Sequence, residues 1–162
     1  MSDGKPALVV VDMLNPYDHE DADMLAKNAE PVVPKIRELL DRARGAERAC
    51  QGRRPDLVEP LLPPDDAAFL IKARHTIFFE TSLGYLIDQS GIDHLILTGQ
   101  VTEQCILYSA LDAYVRHIPI SVPRDAVAHI HDHLADAALE MMERNMDANL
   151  ATAAECSLDT AD

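Results

Sequence analysis

Three residues of this chain have the types needed for covalent chemistry at a carbonyl or imine carbon, and each follows or closes an apolar run. Asp12 ends "PALVVVDM", Lys72 lies in "AAFLIKARH", and Cys105 comes just after "DHLILTGQ" in the stretch "VTEQC". The first turn of a helix offers free backbone N–H groups and the positive end of the helix dipole, which lower a thiol's pKa and can hold a developing oxyanion. A thiolate there is a nucleophile. A nearby carboxylate can take its proton, and a lysine between the two can keep that carboxylate ionised and oriented. Taken singly each residue has a plainer role: a buried cysteine is a small hydrophobe, and an aspartate after a strand is a turn residue. What gives the three a joint meaning is where the elements around them must lie.

Those elements alternate between apolar runs and helical patterns, which predicts a parallel sheet covered by helices. "PALVVVDM" (6–13) is a near-continuous β-branched run of the kind buried on both faces of such a sheet. Further strands are predicted at 67–75, at 93–99 and beginning at 117 in "HIPISVPRDAVA", and a short apolar run, "ANLATAA" at 148–154, completes the chain. Helices are predicted at 31–46, with Val33, Ile36, Leu39 and Leu40 on one face and Gly45 as a stop, and at 81–91, between Thr81 and Gly91. Two more run from the turn before Cys105 to about Arg116 and from about 132 to 147. In an open α/β sheet ligands gather beyond the carboxyl ends of the strands. Asp12, Lys72 and Cys105 all fall at that edge.

Composition bounds the rest. The chain has 162 residues, nearly half of them hydrophobic, which suits a single domain spanning 1–162 with a sizeable core. A formal charge of −14 argues against nucleic acid, whose binders present basic patches. No apolar run approaches the roughly 18 residues of a membrane span, and the first residues carry no signal-type pattern, so the expectation is a cytoplasmic protein without a membrane partner. Three scattered cysteines, Cys50, Cys105 and Cys156, support neither a disulfide framework nor a CxxC site. In "HIHDH", His129, His131 and His133 would share a face on a strand and could bind zinc. Asp132, however, has the character of a helix N-cap, which would scatter the rings, so no metal and no other cofactor is expected.

The segment "LTGQVTEQCILYSALDAY", with its G-x-x-T-x-x-C spacing, resembles the nucleophile segment of the isochorismatase-like cysteine hydrolases. "VVVDMLNPY", "KARHTIFFETSL" and "VPRDAVA" are similar to three other segments of that family, in the family's order and over most of the chain. The resemblance implies a three-layer αβα fold with a central, mainly parallel, Rossmann-like sheet, and an enzyme that hydrolyses a C–N bond of a small molecule through a thioester-type intermediate. It implies Asp12 as base, Lys72 as its supporting cation and Cys105 as nucleophile. It also implies an oxyanion-binding turn at Val101 and Thr102, with a cis peptide between those two residues. Asn15, Tyr17, Phe78 and Tyr108 are candidates for the substrate pocket. A cysteine at 105 favours covalent attack over the vinyl-ether opening performed by relatives with another residue there.

The chain departs from the family pattern in three places. No histidine lies between His19 and His75, where metal-binding nicotinamidases carry theirs. His75 stands where an aromatic or small residue is usual, and His117 where glycine is. Between about 46 and 66 the family's second strand and cover loop have no counterpart, which predicts five strands, or six if 46–54 forms one, with "ERACQGRRPDLVEP" irregular. A more open mouth and an uncovered apolar edge then favour a homodimer or larger homo-oligomer. The same shortening admits a second reading, a non-catalytic relative acting as a ligand-binding or oligomeric scaffold. A depressed Cys105 pKa, making that thiol the fastest to alkylate, would favour the hydrolase.

Overall fold

The computed structural model describes residues 5–13, 17–43, 55–62 and 67–158. Its sheet is built around one strand. β1 (Pro6–Val11) pairs in parallel with β2 (His94–Gln100) along its whole length, from Pro6 opposite His94 to Val11 opposite Gly99. The other edge of β2 is shared by two short parallel strands: β3 (Ile120–Ser121) near its start and β4 (Val127–Ala128) at its end. Pro123 lies between β3 and β4, and Ala126 N–H closes a turn onto its carbonyl. The single strand expected from 117 is therefore interrupted. "ANLATAA" contributes one parallel bridge, Asn149 to Ser121, and backbone bonds alongside.

Helices cover both faces. Along β2, Ile96 packs with the buried residues of α1 (Ala22–Ala29), α2 (Val33–Ala43) and the short helix α3 (Pro55–Val58). Leu95 and Leu97 point the other way, into α4 (Leu83–Ser90), α5 (Leu107–Val115) and α6 (Asp132–Met146). Alternation along one strand thus separates two cores, which is the three-layer αβα arrangement. No helix among the described residues is long and apolar enough to cross a membrane.

Three expectations change. Four strands, not five, are formed among the described residues: 67–75 takes no place in the sheet, 148–154 adds only an isolated bridge, and the run from 117 splits into β3 and β4. Of the apolar residues that made this stretch read as a strand, Leu70 packs partly against the core while Phe69 and Ile71 face outward, 64% and 83% exposed. Second, "PDLVEP" is not irregular: α3 and a 3₁₀ turn (Glu59–Leu61) bury Leu57, Val58 and Leu61 against α2. The possible strand at 46–54 falls outside the described residues. Third, α1 was not foreseen, although Ala22, Leu25, Ala26 and Ala29 bury a helical stripe.

Two backbone positions decide how closely the strands meet and how α5 ends. Gly99 has φ +108, and a Cβ there would lie 2.1 Å from the Val11 carbonyl oxygen, so only glycine lets β2 approach β1 this closely. His117, at φ +60, occupies the left-handed position that ends α5, with its N–H on the Tyr114 carbonyl. Glycine usually stands at such a C-terminal position, which accounts for the departure seen in the sequence.

Candidate active site

The carboxyl ends of β1 and β2 carry the site. Asp12 leaves β1 with φ +53, and its carbonyl accepts a hydrogen bond from the Gln100 side-chain amide at 2.9 Å. Gln100 is fully buried and its Oε1 accepts the Tyr17 hydroxyl at 3.3 Å. Tyr17 therefore belongs to the core beneath the site and braces Gln100.

After β2 the chain makes one turn of π-helix (Thr102–Ile106) that leads into α5 and places Cys105 at its mouth. The turn is tied down on the far side. Thr102 donates its hydroxyl to the Ala128 carbonyl at 2.9 Å, and Glu103 Oε1 accepts the backbone N–H groups of Ile130 and His131 at 3.1 and 2.8 Å. Glu103 is almost wholly buried, and its Oε2 has no hydrogen-bond partner among the described residues. A cis peptide bond lies between Gln100 and Val101, one residue earlier than the expected Val101–Thr102. Gln100 is still paired with Ala128 as the last residue of β2, so the turn begins at Val101.

Lys72 arrives from the segment 67–82, which has no sheet pairing. Its Nζ lies 3.0 Å from Asp12 Oδ2, 3.5 Å from Cys105 Sγ and 2.6 Å from the Arg74 carbonyl, so all three ammonium protons have acceptors. The segment is fixed to α5 by side chains: Thr76 donates to Asp112 at 2.8 Å, and the Ile77 N–H donates to the Ser109 hydroxyl at 3.1 Å. Phe78 is buried there with the Arg116 guanidinium 4.7 Å above its ring.

Burial, joined by the hydrogen bond and negative charge of Asp12, pushes the Cys105 thiol up to about 11, against an opposing pull from Lys72. This corrects the expectation of a depressed value. The helix mouth and the lysine do not outweigh desolvation next to a carboxylate. The raised thiol thus keeps its proton beside a carboxylate that can take it.

The three residues open onto a cleft of about 480 Å³, a size suited to a small molecule. His19, Arg74, His75 and Ile130 also line it. Among the pocket candidates, Tyr17 and Phe78 lie in the cores, not in this lining, and Asn15 lies outside the described residues. Tyr108 is close by, its ring centroid 5.6 Å from that of His75. Sequence reasoning missed His75 as a site residue: its Nδ1 is 3.7 Å from Cys105 Sγ. Its departure from the family pattern was the available signal. At "HIHDH", α6 begins at Asp132: His129 meets Asp132 at 2.9 Å, while His131 lies 3.7 Å from Glu103 with its ring edge-on to that of His133, centroids 6.2 Å apart.

Comparison with known proteins places this geometry. The chain is 33% identical over 174 residues to the uncharacterized isochorismatase family protein YaaI of Bacillus subtilis (strain 168), covering 94% of this chain and 96% of that one. Its fold is similar to an isochorismatase-like hydrolase from Alkaliphilus metalliredigens, with TM-score 0.78, 23% identity and 95% of each chain covered. It is also similar to N-carbamoylsarcosine amidase from Thermoplasma acidophilum, with TM-score 0.75, 25% identity, and 94% and 99% covered. A model of the isochorismatase domain matches residues 6–155, nearly the whole length, and the chain belongs to that family.

Proposed function

We propose that the protein is a cysteine hydrolase that cleaves a C–N bond in a small amide, carbamate or related compound. The observation that carries this reading is the closed contact set of Asp12, Lys72 and Cys105 at the floor of the cleft. The amidase among its structural relatives adds support for the bond type.

Each residue has one task. Asp12 accepts the thiol proton as Sγ attacks the carbonyl carbon, so a thiol held near 11 need not ionise beforehand. The backbone turn at Val101 and Thr102, with the Cys105 N–H, faces the oxyanion that develops. As the C–N bond breaks, Asp12 returns the proton to the leaving nitrogen, and the acyl group stays on Sγ as a thioester. Lys72 holds the Asp12 carboxylate in place throughout, its own protons engaged on both partners and on its own segment. Water then releases the acid and restores the thiol.

The test is a screen of primary amides, carbamates and nicotinamide analogues read by ammonia release, on the wild type and Cys105→Ala. A substrate hydrolysed by the wild type should lose at least about 10³-fold in rate in the variant while its melting temperature holds. Equal hydrolysis by both proteins would end the covalent reading.

A further inference from the structure

His75 has no part in that division of tasks, yet it is the imidazole in contact with the nucleophile. Its Nδ1 lies 3.7 Å from Cys105 Sγ, it lines the cleft, and its ring rests against Tyr108 at a 59° tilt. Resting on the covalent reading, we propose that His75 is a further catalytic residue, the general base that activates the water in thioester hydrolysis.

The two halves of the reaction make different demands. In the first, the proton starts on sulfur and goes to nitrogen, and Asp12 is the carboxylate beside the sulfur. In the second, it must leave a water that attacks the thioester carbon. Asp12 is already engaged by Lys72, whereas an imidazole is a common general base toward water. Lys72 offers no lone pair, and its three protons are committed. Neutral His75 takes a proton from water through Nδ1 as the C–O bond forms. The C–S bond then breaks, and the imidazolium returns that proton to the departing Cys105 thiolate across the same 3.7 Å contact. Thiol, neutral imidazole and free acid result, with no other reactant than water.

The charged and titratable groups around His75 among the described residues come from three directions. Cys105 and Tyr108 face it from the nucleophile helix, and Lys72 and Arg74 share its segment. Asp12, His19 and Asp21 line the cleft from the β1 side. Placed so near the thiolate it would serve, His75 needs no rearrangement between accepting and returning the proton.

The experiment uses p-nitrophenyl acetate as acyl donor and follows nitrophenolate release before and during steady state, in the wild type, His75→Gln and Cys105→Ala. In His75→Gln a burst of one equivalent per site should persist, which also reports a folded site. The steady rate should fall by about 10²-fold, and an acetyl group should accumulate on Cys105, seen by mass spectrometry. The wild-type steady rate should fall on the acid side of its pH profile, and His75→Gln should lack that fall. An unchanged steady rate and acid-side fall would overturn the assignment, as would loss of the burst, which would put His75 in the first half-reaction. If the wild type itself shows no burst that depends on Cys105, the covalent reading fails and this one with it.

Discussion

Cys105 stands one turn beyond a strand that is buried from Leu95 onward and paired on both edges, while Lys72 stands on residues 67–82, which join no sheet and are held to α5 by Thr76, Ile77 and Phe78. Cys105 is placed by backbone ladders and Lys72 by side chains. A ladder distributes a perturbation over many bonds, whereas a side-chain clamp concentrates it on one or two. Damage to the first should therefore unfold the protein, and damage to the second should leave it folded with a poorly assembled site.

Thiol reactivity gives the largest expected effect, because it reads the meeting point of the two regions. Alkylation requires the thiolate. With Cys105 held near 11, its rate with iodoacetamide should climb about tenfold per pH unit from neutrality and level off above that value. Since Asp12 raises the thiol and Lys72 lowers it, Asp12→Asn should speed alkylation at pH 8 and Lys72→Met should slow it. A plateau already reached at pH 8 in the wild type would show that the cation governs the thiol after all. The same shift has a consequence for stability. The folded state favours the protonated thiol, so this contribution is fully present below the ordinary value of 9.0 and is lost as pH rises through about 11.

Next in size is a break in the ladder. Gly99→Ala would press a Cβ to 2.1 Å from the Val11 carbonyl oxygen, at a φ that alanine rarely adopts. The expected cost is about 4 kcal/mol or more, measured by urea unfolding. A loss under about 1 kcal/mol would mean that β1 and β2 can separate without harm.

The smallest effect belongs to the clamp. Asp112→Ala removes the acceptor of Thr76 and the partner of Arg116, 2.9 Å away. Stability should fall by only about 1–2 kcal/mol, while kcat/KM for any substrate found should drop by about tenfold, or 1.4 kcal/mol. Unchanged kcat/KM would show that Lys72 keeps its place without the tie to α5.

Legibility in the sequence divides along the same line. β1, β2, α5 and α6 were legible because a buried ladder or a packed helix face imposes a period on the residues that build it. The Lys72 segment was misread because "AFLI" has the composition of a strand, and only the absence of a neighbouring ladder tells otherwise. α1 was overlooked since three of its four buried residues are alanines, which pack well but signal little. The Asp12, Lys72 and Cys105 trio was legible as a spaced motif. The contacts of His75 and Gln100 were not, since they join positions about 30 and 90 residues apart in the chain. The raised thiol was missed for a related reason: a helix mouth can be read from a sequence, but the depth of burial beside a carboxylate cannot.

Thr102 and Glu103, two consecutive residues, bolt the turn that carries Cys105 to β4 and to the entrance of α6. The entropy of ordering that wall is lost once, when the chain folds, and is not lost again as each substrate enters. Ile130, which lines the cleft, shares the anchorage, so this side meets every substrate with the same contour. Whatever accommodation the cleft makes to leaving groups of different bulk must therefore come from the opposite bank, where Arg74 and His75 ride on a segment free of the sheet. Shape selection and adaptability are thus assigned to facing walls.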